Sequence, residues 1–207
     1  MILFILIFVF LIFITLLFLN LKLYLVALTL SLLILFCLFI ILLLVMREAV
    51  RTFKGNAPYL PSPRKVINKI LEEIDFKNGA VVIELGCGDA RFLRAVRKKK
   101  EVTAIGYEYF IVPYIAAILH NLFLKNKIKI NYQDFFKVNL AEADYIFCFL
   151  ITEEMNKLEE KLKRELKSGA LVISNSFTFK NWQPERVIMV EENKKSSLNN
   201  KIYIYRK

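Results

Sequence analysis

The residues best suited to chemistry lie in segment 81–91, where an apolar run carries Glu84 near its end and a turn follows with Gly86 and Gly88 one residue apart. Glycines in a strand-to-helix turn let the backbone approach a ligand where any side chain would clash. In folds that alternate strands and helices, ligands bind at the carboxyl edge of the sheet, where such a turn lies. The pattern predicts a cofactor-binding loop, and its alternative is an ordinary strand-to-helix turn.

Four acids are predicted to line that sheet edge. Glu84 ends the first strand, Asp89 lies in the turn, Glu108 ends a second apolar run, and Asp134 follows a third. A dinucleotide fingerprint would need a third glycine where Arg91 stands, and the acids would repel a pyrophosphate. They suit a cofactor with a sulfonium, an ammonium, a ribose diol and an adenine amino group. That cofactor is S-adenosylmethionine.

The motifs resemble those of class I methyltransferases, with Glu84-Leu-Gly-Cys-Gly-Asp-Ala-Arg91 as the first and Gly106-Tyr-Glu108 as the second. A closer resemblance, to archaeal broad-specificity protein lysine methyltransferases, is carried by residues 59–66, 147–153, 157–173 and 174–185. The chain is also similar to the mitochondrial membrane-anchored lysine methyltransferases that modify the c-subunit of ATP synthase and the adenine nucleotide translocase. The resemblance covers about residues 59–205 and implies a protein substrate with an accessible lysine.

The chain departs from these relatives at three places. Ala90 stands where a third glycine is usual, Tyr109 and Phe110 follow the second motif where a polar residue is often found, and Thr152 takes a place often held by proline. Ala90 is expected to open a helix, which needs no positive φ. The differences leave the cofactor assignment in place and bear mainly on the substrate.

Several candidate cofactor residues are assigned a part of the ligand. Gly86 and Gly88 allow backbone approach, Glu108 accepts the ribose hydroxyls, and Asp134 accepts from the adenine amino group while Phe135 packs on the ring. The alternatives are a solvated strand end for Glu108 and a helix cap followed by core for Asp134 and Phe135. The full set is Glu84, Gly86, Cys87, Gly88, Asp89, Glu108, Tyr109, Asp134, Phe135 and Leu150.

The methionine end of the cofactor is assigned to Glu84 and Asp89, although Asp89 could instead cap the helix that it precedes. By resemblance, the methyl channel is lined by Tyr59, Leu150, Thr152, Asn175 and Trp182. Aromatic faces there can contact a cation; for Tyr59 and Trp182 the alternative is hydrophobic packing. Methyl transfer needs an aligned nucleophile and exclusion of water, so no general base is assigned.

The amino-terminal segment predicts membrane insertion, because residues 1–46 contain a single charge, Lys22. As helices, residues 1–19 and 25–46 would be roughly 28 Å and 33 Å long, near the ~30 Å hydrocarbon thickness. We expect a transmembrane helical hairpin with its tip at residues 20–24. The alternative for the first span is a cleaved signal peptide. Residues 1–19, however, lack the positively charged n-region and the small-residue cleavage site of such a peptide.

Basic residues follow the second span, at Arg47, Arg51, Lys54, Arg64 and Lys65. The positive-inside rule then predicts an integral protein of the cell's inner or plasma membrane, with a cytoplasmic catalytic domain. Without Lys22, 29 basic residues face 19 acids, a net charge of about +10. Such a surface attracts anionic lipid or nucleic acid. The alternative explanation of the positive charge is a proteome that is rich in lysine, without any binding role.

Metal and disulfide chemistry have little support. Cys37, Cys87 and Cys148 have no disulfide or metal-ligand spacing, which is consistent with a reducing compartment. With His120 as the one histidine, we expect no metal site and no Ser-His triad.

The expected fold is a Rossmann-like class I methyltransferase fold: a mostly parallel seven-stranded sheet with a terminal antiparallel hairpin, preceded by the transmembrane hairpin. Three segments are predicted: two transmembrane helices at 1–46, a linker with a Pro-rich segment at 47–62, and the methyltransferase domain at 63–207. Strands are predicted near 80–85, 102–107, 127–132, 144–149, 169–174, 187–191 and 201–205, with helices near 64–74, 89–98, 111–124 and 153–167.

The preferred function is methylation of lysine in a protein at or near the membrane. A lipid, quinone or other small apolar molecule reached from the bilayer is the second candidate substrate. A nucleic-acid partner is not expected, because an Asn-Pro-Pro-Tyr type of motif is absent after the fourth strand, where Phe147-Cys-Phe-Leu-Ile-Thr152 stands. A membrane scaffold with an inactive fold is the remaining alternative, and the retained acids and glycines argue against it.

Overall fold

A computed structural model describes residues 2–53, 60–124, 128–191 and 198–207 of the 207-residue chain. The chain divides into two compact units, Met1–Lys54 and Gly55–Lys207. The boundary lies inside the predicted linker.

The first unit is one continuous helix, α1 (Ile2–Phe53), rather than the predicted pair of helices. Residues 20–24, the predicted hairpin tip, are helical, and they contain neither the glycine nor the proline that would interrupt backbone hydrogen bonding. The stretch Leu6–Arg47 is long and apolar enough to cross a membrane. Its hydroxyl groups bond within the helix: Thr29 Oγ1 and Ser31 Oγ each donate to a carbonyl three residues earlier, at 2.8 Å.

The second unit contains the remaining elements. These are α2 (Arg64–Glu73), β1 (Val81–Leu85), α3 (Arg91–Lys99), β2 (Thr103–Glu108), α4 (Ile111–Leu122), β3 (Lys129–Tyr132), a 3₁₀ helix (Phe135–Lys137), β4 (Tyr145–Cys148), α5 (Thr152–Glu165), β5 (Leu171–Asn175), β6 (Arg186–Met189) and β7 (Lys201–Arg206). The strands form one sheet in the order β3-β2-β1-β4-β5-β7-β6.

The predicted topology of this sheet is confirmed. Strands β1 to β5 are parallel, and β7 runs antiparallel between β5 and β6. The central strand β4 is buried along its whole length, as expected for a strand that helices cover on both faces. Helices α2 and α3 pack on one face around Ile70 and Phe92, and α5 packs on the other around Leu158 and Leu162.

The strand register brings the candidate residues to one edge of the sheet. Glu84 is paired with Gly106 on β2 and Phe147 on β4, one residue before the end of β1. At the opposite edge, Asp144 Oδ2 accepts from the backbone amide of Val81 at 2.8 Å. The acids of the glycine turn and Asp144 therefore lie at opposite ends of the sheet.

Candidate active site

The turn after β1 has three left-handed residues at alternating positions: Gly86 (φ 71°), Gly88 (φ 55°) and Ala90 (φ 59°). The expectation that Ala90 needs no positive φ was wrong. It precedes α3 with its side chain fully buried, and its amide donates to the carbonyl of Cys87 at 2.7 Å. A tight turn held by that bond imposes the conformation, which explains why a glycine suits this place in relatives.

The turn lies tightly between β2 and the end of β4. The amides of Gly86 and Cys87 both donate to the carbonyl of Tyr107 at 2.9 Å. A Cβ at Gly86 would approach Leu150 Cδ2 at 3.3 Å, and one at Gly106 would clash with Cys87 Sγ at 2.6 Å. Glycine at both places lets the backbone of the turn, rather than side chains, form the floor of the site.

Glu84 is buried, and in the described part of the chain its Oε2 atom has no hydrogen-bond partner. Burial, and next the negative charge of Asp89, raise the pKa of the Glu84 carboxyl well above its usual value. A buried acceptor without a donor costs free energy. An ammonium group such as that of S-adenosylmethionine would supply both the donor and the positive charge, so the residues present fit this cofactor.

A small cleft lies over this carboxyl and the glycine turn. It is lined by Leu60, Pro61, Ser62, Glu84, Gly86, Cys87, Gly88, Asp89, Arg91 and Phe149. Ser62 and Phe149 lie in segments that carry the family resemblance, but they were not among the predicted site residues. The available signal was their position, immediately beside Pro63 and at the end of β4.

Asp89 is buried and is paired with two arginines. Its carboxylate accepts from Arg91 Nε at 2.9 Å, Arg91 Nη2 at 3.0 Å and Arg94 Nη2 at 3.4 Å. Burial raises the pKa of this carboxyl, but the hydrogen bonds and charge of Arg91 outweigh that effect and lower it overall. Arg91, which was not among the predicted site residues, therefore helps to keep Asp89 ionised.

Glu108 joins the end of β2 to the glycine turn. Its Oε2 accepts from the amide of Gly88 at 2.8 Å, and its Oε1 accepts from the amides of Tyr109 and Phe110 at 2.8 and 2.7 Å. The residue is 5% exposed, so it is not a solvated strand end. Each carboxylate oxygen can accept more than one hydrogen bond, which leaves capacity for hydroxyl groups.

Asp134 caps the 3₁₀ helix, because its Oδ1 accepts from the amide of Phe136 at 2.9 Å. Phe135 is buried in the core, with its ring centroid 4.6 Å from that of Phe136. This arrangement matches the alternative of a cap followed by core. Tyr109 is 44% exposed and stacks on Tyr132 at the end of β3, with ring centroids 6.0 Å apart.

The acceptor-side candidates are divided by the fold. Leu150 is buried against the glycine turn, Thr152 is exposed at the start of α5, and Asn175 is fully buried at the end of β5. Asn175 Nδ2 donates to Asn199 Oδ1 at 2.7 Å and to Ser62 Oγ at 3.5 Å, which links it to the edge of the cleft. Tyr59 lies outside the described residues.

Trp182 is not brought to the glycine turn by its contacts. Its ring packs 5.4 Å from those of Phe179 and Tyr205, and Lys163 Nζ lies 5.7 Å from its centroid. Tyr205 pairs with Val172 near the start of β5, and Lys163 belongs to the last turn of α5. These contacts are those of a packed side chain on the α5 face.

The two cysteines of this domain are buried thiols. Burial raises the pKa of Cys87 well above its usual value, and it raises the pKa of Cys148 to about 12. Neither thiol is therefore a nucleophile at neutral pH. Within residues 2–53, 60–124, 128–191 and 198–207, no group of three His, Cys, Asp or Glu side chains could hold a metal ion.

The fold is that of an S-adenosylmethionine-dependent methyltransferase. An RNA methyltransferase from Salinibacter ruber, solved in complex with S-adenosyl-L-homocysteine, superposes with a TM-score of 0.63 and 24% identity. That match covers 71% of this chain and 93% of the other. Phosphoethanolamine N-methyltransferase 1 from Haemonchus contortus superposes with a TM-score of 0.55 and 9% identity, over 69% of this chain and 42% of the other.

Sequence comparison gives the family. The ANTKMT methyltransferase domain matches residues 84–186. A protein-lysine N-methyltransferase from Saccharolobus islandicus (strain REY15A) is 34% identical over 158 residues, which cover 74% of this chain and 96% of the relative. The Homo sapiens lysine N-methyltransferase named for the C-subunit of ATP synthase is 31% identical over 63% of this chain, which spans 56% of the human protein's length. The chain belongs to the protein-lysine N-methyltransferases, enzymes whose cofactor is S-adenosylmethionine.

Proposed function

We propose that this enzyme methylates lysine side chains of proteins in or beside a membrane. The observation that carries the proposal is a cleft lined by Glu84, whose Oε2 atom has no hydrogen-bond partner among the described residues, together with Pro61 and Phe149. One side of such a site suits a charged cofactor, and the other suits an aliphatic side chain that ends in an amine. Membrane proteins as acceptors are supported by the apolar helix α1 and by relatives named for the C-subunit of ATP synthase and for adenine nucleotide translocase.

When bound, the cofactor would supply a methyl group on a positively charged sulfur, and transfer of that group to an amine would leave the sulfur as a neutral thioether. We assign Glu84 Oε2 to the cofactor's ammonium group, and the oxygens of Glu108 to its ribose hydroxyls. Asp89, kept ionised by Arg91 and Arg94, adds negative charge beside the same end. Leu150 fills the space beside Gly86 and keeps the turn in place.

The acceptor amine has to lose a proton before it can attack, since a free lysine has a pKa of about 10.4. Leu60, Pro61 and Phe149 form an apolar part of the cleft lining, and desolvation there favours the neutral amine. Asn175 is held in place by Asn199, and its Oδ1 accepts from Ser176 Oγ at 3.0 Å. We assign that oxygen to orienting the amine, without a general base.

The second part of the proposal is that α1 anchors the enzyme in a membrane. At 1.5 Å per residue, the 42-residue apolar stretch of α1 is about 63 Å long, twice the hydrocarbon thickness of ~30 Å. We infer that in a bilayer the stretch folds into two spans near Lys22, with the catalytic domain in the cytoplasm.

Cysteine labelling tests this topology. In a Cys37→Ser background, the variant Lys22→Cys should react with an impermeant maleimide added outside intact cells. A cysteine at Glu160, on the domain, should react only after lysis. Protection of both positions in intact cells would disprove the hairpin.

The substrate class can be tested with methyl-tritiated S-adenosylmethionine and membranes from cells that lack this chain. Full-length enzyme should place label in the protein fraction, recoverable as methyl-lysine after acid hydrolysis. The Glu108→Ala variant provides the blank. Label confined to extracted lipid would replace the lysine assignment with methylation of a lipid or quinone, a candidate favoured by the apolar helix in the same chain. Absence of label from both fractions, with bound cofactor, would leave the enzyme without a membrane acceptor.

A further inference from the structure

Helix α4 has an inverted distribution of side chains. The two residues that it buries are small, Pro113 and Ala117, whereas four of its larger apolar residues are exposed. Val112, Ile115, Leu119 and Leu122 are 54%, 44%, 53% and 60% exposed, and Phe123, just after the helix, is 89% exposed. At 100° per residue these side chains fall on a single stripe about 100° wide.

The charge of the surrounding segment is equally one-sided. From residue 109 to residue 133 the chain contains no Asp or Glu, whereas Lys125, Lys127 and Lys129 follow the helix at every second position. An apolar stripe followed in the sequence by several lysines matches the composition of helices that lie in the interface of an anionic membrane. In the part of the chain that the structure describes, the side chains of the stripe all remain exposed.

We propose that the outer face of α4, from Val112 to Phe123, rests in the headgroup region of an anionic bilayer. This inference rests on the membrane anchoring proposed above and extends it from the first unit to the catalytic domain. Because α4 begins at Ile111, shortly after Glu108 ends β2, docking of this helix fixes the height of the cofactor edge above the membrane. Acceptor lysines within a short distance of the lipid surface would then be favoured.

The charge pattern favours lipid over a protein occupant. A second copy of this chain would bring two acid-free, lysine-bearing segments together, and like charges repel. An anionic leaflet instead offers negative charge to each lysine and an apolar layer to each leucine. The bilayer also matches α1, whose apolar side chains need the same environment.

The test uses the full chain reconstituted in vesicles made of equal parts phosphatidylcholine and phosphatidylglycerol. A nitroxide is attached at Leu119→Cys, or at Glu160→Cys on the exposed side of α5, in a Cys37→Ser background. The remaining cysteines, Cys87 and Cys148, are buried. Power-saturation EPR should show the label at 119 accessible to oxygen and shielded from a water-soluble nickel chelate, and the label at 160 the reverse. Vesicles of phosphatidylcholine alone should weaken the difference.

Two results would overturn the proposal. Equal nickel accessibility at both positions would mean that α4 faces water, and shielding at 119 from both reagents would mean that protein covers it. As a functional readout, Leu119→Glu should lower methylation of a membrane-bound acceptor several-fold while binding of S-adenosylhomocysteine stays unchanged. Val187→Glu, on the outer strand β6, is the matched control. Loss of cofactor binding in the unmutated chain would instead count against the proposed function and not against docking.

Discussion

Glu108 at the end of β2 accepts a hydrogen bond from the backbone amide of Gly88 in the turn after β1, across a distance of 2.8 Å. The carboxylate that we assign to the ribose therefore also holds the loop on which the cofactor would lie. Its two oxygens are both engaged with backbone amides. Binding of the cofactor and the shape of the turn are consequently coupled through one side chain.

We predict that Glu108→Ala weakens the binding of S-adenosylhomocysteine by about 1–3 kcal/mol, because ribose hydroxyls and the Gly88 amide lose an acceptor. Asp144→Ala is the control: it removes a bond to Val81 and an ion pair with Lys167 at the opposite edge of the sheet, and should cost stability without affinity. Isothermal calorimetry measures both. Equal affinities of the two variants would remove Glu108 from the site.

The pH dependence of stability should reveal the buried charge of Glu84. Burial raises the pKa of this carboxyl above its ordinary value of 4.5, so the folded state holds the proton more tightly than the unfolded state. The free energy of unfolding of the cofactor-free protein then falls as pH rises from about 4.5 through the raised pKa. Because glutamine carries no charge, Glu84→Gln should remove this fall in the free energy of unfolding, and it should therefore stabilise the protein more at pH 8 than at pH 5. The same substitution should weaken cofactor binding. Urea unfolding at both pH values measures it.

Glu159 provides a control of opposite sign. Burial raises the pKa of its carboxyl, but the amide of Asn181 and the Lys163 ammonium lower it overall. Its contribution to stability is present above pH 4.5 and is lost as pH falls through the lowered pKa. Glu159→Gln should therefore destabilise the protein at neutral pH and matter less in acid. The same pH trend in both variants would contradict the assignment for Glu84.

The left-handed conformation of Ala90 gives a prediction about stability. Ala90→Gly should relieve about 1–2 kcal/mol of backbone strain in the folded state. Two losses offset this gain in the free energy of unfolding. The missing methyl contact costs about 0.8 kcal/mol, and the greater flexibility of the unfolded chain costs about 0.4–1 kcal/mol. The net change should lie within about 1 kcal/mol of zero. Ala117→Gly, equally buried but in helix α4, should cost about 2 kcal/mol. Similar losses at the two sites in chemical unfolding would show that Ala90 carries no strain.

The strands and helices of the second unit could be predicted from the sequence because apolar runs and turn residues determine where they alternate. Every predicted strand and helix of the second unit lies within two residues of the observed one. The errors concern conformation and partners rather than elements. The φ of Ala90 depends on the bond that closes its turn, and the arginines paired with Asp89 depend on side-chain geometry. Neither the φ of Ala90 nor the ion pairs of Asp89 can be predicted from residue type alone.

The helix α1 differs for another reason. Asn20 and Lys22 predicted a break because polar residues are costly inside a bilayer, whereas no residue there prevents the helix from continuing in the absence of lipid. A break near Lys22 in a bilayer therefore stays a prediction. Trp182 shows the same limit: an aromatic residue in a matching motif can either contact ligand or pack, and its neighbours Phe179 and Tyr205 account for it as packing.

Removal of the proposed anchor should change substrate choice rather than chemistry. The catalytic domain has its own hydrophobic core, and the Saccharolobus relative is matched over 96% of its length by 74% of this chain. Deleting residues 1–46 should therefore preserve cofactor binding and methylation of a lysine-rich protein in solution. Methylation of the native acceptor in cells should fall sharply, because an anchor raises the enzyme's effective concentration at the bilayer. Peptide mass spectrometry of membrane and soluble fractions, at matched expression in a deletion strain, makes the comparison. An identical methylation pattern from the truncated enzyme would show that the anchor does not select the substrate.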